Sequence, residues 1–360
     1  MPERIYNFSP GPATLPYSVL QEAAADIVNF KDIGIGLIEL SHRSKAFVDV
    51  ADETEALLRE LLNIPANYKV LFLQGGASTQ FFMVPMNLLQ HDQKASYLNT
   101  GVWAKKALQE AKLFGEIEVP YSSEDIVYRR VPKDDEYTVS SDSQYLHFVS
   151  NNTIYGTQYP DMPDKPVMLI ADMSSDILSR PFDINKFGIV YAGAQKNMGP
   201  AGVTIVIIRE DLLDRVGDRV PTMLKYKTHA EKDSMFNTPP CFPLYCVGRV
   251  LNWLKNFGGV AAIEKINREK AALLYEAIDS MEMYRGHAEK DSRSLMNVTF
   301  NLPTPELEAR FISEAAAVGL DGLKGHRSVG GCRASIYNAF PREGVEKLVS
   351  FMADFAQKNR

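Results

Sequence analysis

Apolar positions along this chain fall into two kinds of run that alternate. Short, nearly continuous ones at Lys69–Leu73, Ser96–Asn99, 145–149, 166–171, 188–191 and 203–208 predict strands buried on both faces. Longer stretches with apolar residues three and four apart, over 17–29, from Ala46 to Leu62, after Thr79 and around Trp103, predict helices packed against them. This order argues for an α/β fold with a mainly parallel sheet covered on both sides. At Gly258-Gly259 one helical stretch ends and another, to about Ser280, begins. We place a domain boundary there: an irregular N-terminal segment 1–15, a large domain 16–258 and a small α/β domain 259–360. The small domain reads helix, strand (296–300), helix (305–318), strand (332–337), helix (343–357).

Composition narrows the function. A chain of 360 residues exceeds what one small core needs, and 39 Lys plus Arg against 45 Asp plus Glu leave no broad basic field for nucleic acid or anionic membrane. No apolar run approaches a membrane span, and residues 1–15 lack the apolar core of a signal peptide. Three cysteines, Cys241, Cys246 and Cys332, form no CxxC pair, and the six histidines show no metal-ligand spacing. The expectation is a cytoplasmic globular protein without a metal.

The chemistry-bearing residues lie at strand ends. Lys196 sits in the Gly/Ala-lined turn of Val190-Tyr-Ala-Gly-Ala-Gln-Lys-Asn-Met-Gly-Pro-Ala-Gly-Val203, where small neighbours let a flat ligand approach its amine. Asp172 ends the run Val167–Ala171, 24 residues earlier, where parallel sheets bind ligands. Pyridoxal phosphate needs such a pair: a lysine for the Schiff base and a carboxylate to keep the pyridine nitrogen protonated. Asp172 would equally serve as a helix N-cap before Ser174-Ser175. Gly75-Gly76-Ala77-Ser78-Thr79 comes directly after a strand and offers backbone N–H groups to a phosphate, or is an ordinary strand-to-helix turn. Trp103 could stack on a pyridine ring or fill a core. Asn237-Thr238-Pro-Pro240 could cap the phosphate or be an exposed loop. His42-Arg43, His326-Arg327 and Arg333 lie beside glycines and short side chains, a set suited to carboxylate or phosphate or else to a solvated surface.

FSPGPATLP (8–16), ELSHRS (39–44), QGGASTQF (74–81), ADMSSDILSRP (171–181), YAGAQKNMGPAG (191–202), SMFNTPP (234–240) and LKGHRSVGGCRASIYNA (323–339) together resemble the phosphoserine aminotransferase family. That family lies in the class V branch of the fold-type I pyridoxal-phosphate enzymes. The resemblance covers nearly the whole chain. It implies a seven-stranded large domain, a small C-terminal domain, and a homodimer with two active sites shared between subunits. It implies that Lys196 forms the internal aldimine, Asp172 pairs with the pyridinium, Trp103 stacks on the ring and Thr153 lies near the ring hydroxyl. Ala77, Ser78 and Gln195 would hold the cofactor phosphate, with Asn237 and Thr238 reaching it from the other subunit. Arg333 would hold the substrate α-carboxylate; His42, Arg43, His326 and Arg327 would grip its distal phosphate or the glutamate side chain. Where many members carry an arginine after the glycine-rich turn this chain has Ser78, so the anion site is expected to hold one cation fewer.

The implied reaction moves an amino group from glutamate to 3-phosphohydroxypyruvate, and by family analogy to a 4-phosphate substrate of pyridoxal phosphate biosynthesis. Two other readings stay open on the residues alone. A cysteine desulfurase needs a mobile nucleophilic cysteine and typically a histidine before the lysine, whereas Gln195 precedes Lys196 and Cys332 lies in a strand-like run. A non-catalytic binding protein would use the same pocket without a lysine adduct.

Overall fold

The computed structural model describes residues 4–217 and 219–359; the first three residues of the expected N-terminal segment, Asp218 and Arg360 lie outside it. Seven strands form the central sheet: β1 (Tyr68–Leu73), β2 (Lys94–Asn99), β3 (Glu116–Ser122), β4 (Ser143–Val149), β5 (Leu169–Asp172), β6 (Phe187–Gly193) and β7 (Thr204–Arg209). Their order is β1-β7-β6-β5-β4-β2-β3. β7 is antiparallel to both neighbours and every other pairing is parallel. Two reversals restore direction, so β1 points the same way as β6. Six strands therefore end along one edge, and the turns after them carry the glycine-rich loop, Thr153, Asp172 and Lys196.

Side chains alternate across the sheet as the pleat requires. Leu169, Ala171, Val190 and Ala192 face one apolar cluster; Ile170, Ile189 and Tyr191 face the other. The first is covered by α2 (Lys45–Leu62) and α6 (Cys241–Phe257), with α1 (Tyr17–Val28) outside them; the second by α3 (Gly76–Leu88), α4 (Val102–Ala111) and the short α5 (Tyr226–Ala230). α2 shows why such a segment folds. Ser44 accepts the N–H of Phe47, Asn63 closes the helix in the left-handed region, and Phe47, Val50, Ala51, Thr54, Leu57, Leu58 and Leu62 form the buried stripe.

Beyond Gly258 the chain forms α7 (Gly259–Ser280), β8 (Arg285–Gly286), β9 (Asn297–Asn301), α8 (Pro305–Ala317), β10 (Cys332–Ser335) and α9 (Arg342–Lys358). The strands form an antiparallel sheet, β8-β9-β10. Val260 and Ile263 of α7 belong to the large core, while Ala271, Leu274 and Ile278 join a second core with Val298, Phe300, Phe311 and Leu348. α7 thus runs from one core into the other. The N-terminal chain is stitched to the second unit: Tyr6-Asn7 pairs with Leu320-Asp321, and the Phe8 carbonyl accepts from Ser335 N–H at 3.1 Å.

The sequence pattern missed β3. It is an edge strand with Pro120 inside it and only partial burial, so its apolar signal is weak. The strand expected over 166–171 begins at Leu169 and ends on Asp172, because Pro163 and Pro166 hold the preceding residues out of the ladder.

Candidate active site

Between β6 and β7 the chain makes a tight turn whose backbone is tied to itself, with Ala194 N–H on Val203 O at 3.1 Å and Met198 N–H on Ala194 O at 3.1 Å. This turn presents Lys196. Its Nζ donates to Thr153 Oγ1 at 2.7 Å. Burial pushes the Lys196 amine down to about 8; Asp172 opposes that shift and Arg333 adds to it. Gly11 packs directly on the lysine stem: a Cβ there would lie 3.3 Å from Lys196 Cγ, at a φ of +146°. The N-terminal segment is anchored by Ala13 N–H on Gln195 O at 3.0 Å, so it walls one side of the lysine.

Asp172 is buried at the end of β5. Burial raises its pKa, while Lys196 and the Ser174 hydrogen bonds favour the ionised form. Ser174 donates its N–H at 2.9 Å and its hydroxyl at 2.6 Å, both to Oδ1. The Ser174 hydroxyl in turn accepts Gly193 N–H at 3.1 Å. The cap-like bond to residue i+2 is therefore real, but residues 173–178 form a turn rather than an α-helix. Among the described residues, both Ser174 hydrogen bonds go to Oδ1.

Arg333, on β10, is buried, and none of the described carboxylates forms an ion pair with it. Its Nη1 reaches Thr153 O at 3.4 Å, and among the described residues its Nε has no partner. Burial lowers its pKa, with Tyr337 acting against the shift. A guanidinium kept so is a poorly compensated buried charge, and an anion would relieve it. His326 is held below its ordinary pKa by burial and then by the charges of Arg333, Arg327 and Lys106. Three cations and a histidine thus share one field. Lys106, which the sequence pattern did not single out, lies three residues after Trp103 on α4, with Nζ 4.8 Å from the indole centroid. The (i, i+3) spacing on a helix was the available signal. It adds a cation to the charges that act on His326.

The glycine-rich turn follows β1 and leads into α3. Gly75 and Gly76 have φ of +94° and +70°, and no side chain caps the start of α3. Its first-turn N–H groups are left without a capping side chain, as an anion requires. A Cβ at Gly75 would meet Thr79 Oγ1 at 2.1 Å, whereas one at Gly76 would meet nothing within 4 Å. Ala77 is half-buried and Ser78 exposed. Trp103 lies with its ring centroid 6.0 Å from Lys196 Nζ, and among the described residues its buried indole N–H has no partner. These features fit pyridoxal phosphate: an open anion cradle, an aromatic wall, an amine of lowered pKa and a buried carboxylate. Among the described residues no cluster of three His, Cys, Asp or Glu side chains is placed to hold a metal ion.

Two expected pairs remain to be placed. The Thr238 carbonyl accepts from Gln74 Nε2 of the same chain at 3.1 Å, which sets Asn237-Thr238 beside the glycine-rich strand end. Among the described residues, no hydrogen bond or ion pair joins His42 or Arg43 to Lys196, Arg333 or His326; His42 Nε2 is buried without a partner and Arg43 is exposed. Cys332 is buried and its thiol pushed far above its ordinary pKa by burial, so it is no mobile nucleophile.

Comparisons with known proteins agree with this geometry. The class V aminotransferase model matches residues 5–348. A phosphoserine aminotransferase of Desulfotalea psychrophila is 67% identical, over 100% of this chain and 99% of that protein. The solved structure of the phosphoserine aminotransferase of Bacillus circulans subsp. alkalophilus superposes with a TM-score of 0.97 at 52% identity, covering 99% of both chains. A PLP-bound phosphoserine aminotransferase from Trichomonas vaginalis gives 0.93 at 39% identity, over 97% of this chain and 100% of that one. On fold and kinship alike, the chain belongs to the class V aminotransferases, within the phosphoserine aminotransferase family.

Proposed function

We propose that Lys196 is the proton carrier of an amino transfer between glutamate and 3-phosphohydroxypyruvate that yields O-phosphoserine and 2-oxoglutarate. The chain is a pyridoxal-phosphate-dependent aminotransferase. When bound, the cofactor supplies an aldehyde for the amino group and a ring that delocalises the electron pair left by α-deprotonation. Everything else falls to the protein. Lys196, with a pKa of about 8, is partly free amine at neutral to mildly alkaline pH and can take and return a proton. Thr153 Oγ1 fixes where that amine points, and Asp172 would set a negative charge against the ring nitrogen of a bound cofactor.

The observation that carries the reading is the pairing of Lys196 with the unpaired, buried Arg333 on a shared partner, Thr153. A lysine beside a waiting anion receptor suits α-proton transfer on an amino acid. Arg333 takes the α-carboxylate. His326 and Arg327, with Lys106, take the distal phosphate of one substrate and the carboxylate of the other. Ala77, Ser78, Gln195 and Trp103 hold the cofactor. We further infer a homodimer: Val28, Ile33 and Ile38 are 77%, 52% and 61% exposed in the region leading to His42-Arg43. An apolar surface next to cations that their own site does not use supports an interface where the partner subunit's His42 and the partner subunit's Arg43 complete the anion cluster. The family resemblance gives the partner subunit's Asn237 and the partner subunit's Thr238 the remaining phosphate contacts, and the Gln74–Thr238 bond within this chain sets this segment beside the glycine-rich turn. The unpaired cysteines suit a reducing cytoplasm, and no helix among the described residues is long and apolar enough to cross a membrane. The amination of the 4-phosphate substrate rests on the same pocket. Assay with glutamate and 3-phosphohydroxypyruvate against its unphosphorylated analogue tests the reading. A preference of roughly 100-fold or more for the phosphorylated acceptor is expected, as a phosphate held by several charge-assisted bonds should give. Equal turnover of both would overturn it.

A further inference from the structure

Lys270 has no place in the proposed chemistry, yet it is completely buried on α7. Its ammonium donates to three backbone carbonyls, Ile336 at 3.0 Å, Tyr337 at 2.7 Å and Phe340 at 3.0 Å. An ammonium has three donors, and here each has an acceptor. Burial pushes the amine down to about 7, while the three carbonyls favour the charged form. The carbonyls belong to the turn after β10, the strand of Arg333.

That turn is also the seam with the large domain. Asn338 N–H donates to Asn197 Oδ1 at 3.0 Å, and Asn338 Nδ2 to Leu178 O at 2.9 Å. Asn197 is the neighbour of Lys196, and its own Nδ2 reaches Ile177 O at 2.6 Å. Asn267, one turn before Lys270, donates to Asn338 Oδ1 at 2.8 Å and Ser179 O at 3.3 Å. These side chains are all buried. One polar junction therefore joins three pieces: the end of Arg333's strand, the turn of Lys196 and the turn that leaves Asp172.

We infer that Lys270 is a positioning residue for substrate binding: by gathering the Ile336, Tyr337 and Phe340 carbonyls it holds the Asn338 turn against Asn197, and so fixes the distance between Arg333 and Lys196. A carbonyl cluster of this kind repels itself unless a cation lies between its members. Losing the ammonium frees the turn, and the small domain with Arg333 loses its register on the lysine. The cofactor's own contacts lie on the large domain and stay. This inference rests on the assignment of Arg333 to the substrate carboxylate.

Lys270→Met keeps length and apolar volume while removing every donor; Asn338→Ala cuts the same seam from the other side without unpairing a charge. Each is loaded with cofactor and titrated with phosphoserine, and each is probed without cofactor by amide hydrogen exchange. The expected result is wild-type cofactor affinity, phosphoserine Kd raised about tenfold or more, and faster exchange confined to 333–340 and 176–180. The double variant should lose no more than the worse single, since both cut one junction. Wild-type phosphoserine affinity in Asn338→Ala, or equal loss of cofactor and substrate binding in both variants, would overturn it. Should Lys270→Met fail to fold, Asn338→Ala alone decides. A wild-type protein that ignores phosphoserine would instead sink the functional reading, so the two failures are separable.

Discussion

Arg333→Met should weaken substrate binding and strengthen the fold at once. Arg333 is 6% exposed, lacks any carboxylate partner among the described residues, and makes one long bond of 3.4 Å to Thr153 O. An uncompensated buried ion costs several kcal/mol, against at most about 1 kcal/mol for such a hydrogen bond. Replacing it with an apolar side chain of similar length should therefore stabilise the substrate-free protein by roughly 1–3 kcal/mol. With substrate bound the sign reverses, because truncating one side of a buried charge pair costs about 2–5 kcal/mol, or about 30-fold to a few thousand-fold in affinity. Urea unfolding in a buffer free of phosphate and carboxylate gives the first quantity, and calorimetric or spectral titration with phosphoserine gives the second. A higher urea midpoint at unchanged slope should accompany the loss of affinity. A lower midpoint, or an affinity indistinguishable from wild type, refutes the assignment of Arg333 as an unpaired anion receptor.

Lys196→Ala should abolish transamination while cofactor still binds without a covalent link; borohydride reduction followed by mass analysis reads the link directly. Lys196 has a folded pKa below its ordinary 10.5, so its free-amine fraction rises as pH climbs through about 8. Capture of cofactor by the cofactor-free protein should accelerate through that pH, and the inflection should move upward in Arg333→Met, because Arg333 is one cause of the depression. By linkage, the cost of burying protonated Lys196 is fully present below about 8 and is relieved as pH rises toward 10.5, measurable as stability gained over that window. Gly75→Ala drives a Cβ into Thr79 Oγ1 and should cut cofactor affinity far more than Gly76→Ala, whose Cβ meets open space and which carries only the ~1 kcal/mol strain of a left-handed residue. Lys106→Ala should raise the Kd of phosphoserine about 3- to 10-fold with little change for serine, as expected for one partly solvated cation worth up to ~1 kcal/mol or slightly more.

Much of this molecule was legible from apolar runs alone. Strands such as Phe187–Gly193 and Thr204–Arg209 are buried on both faces, so they write a continuous signal, and the small residues after them marked the lysine turn. The elements that escaped did so for physical reasons. Glu116–Ser122 is an edge strand whose exposure dilutes its pattern. The antiparallel placement of β7 depends on partner choice, which no run of residues records. Lys106 looks like any lysine on an amphipathic helix until α4 is packed beside the His326 loop. The Asn197–Asn338–Asn267 seam escapes too, because asparagines 71 and 141 positions apart carry no local periodicity. Asp172, Lys196 and the Gly75-Gly76 turn stood out in the sequence because each lies at or just after the end of a central-sheet strand, which delivers them to one edge.

One lysine and one anion receptor, acting together on a phosphorylated amino acid, are the core of the proposed mechanism. The visible spectrum of the cofactor-loaded protein, titrated with phosphoserine and in parallel with serine, probes both at once. Phosphoserine should deplete the band of the Lys196-linked cofactor at concentrations where serine leaves it unchanged. A band that phosphoserine leaves untouched, or that serine depletes equally well, would contradict the mechanism.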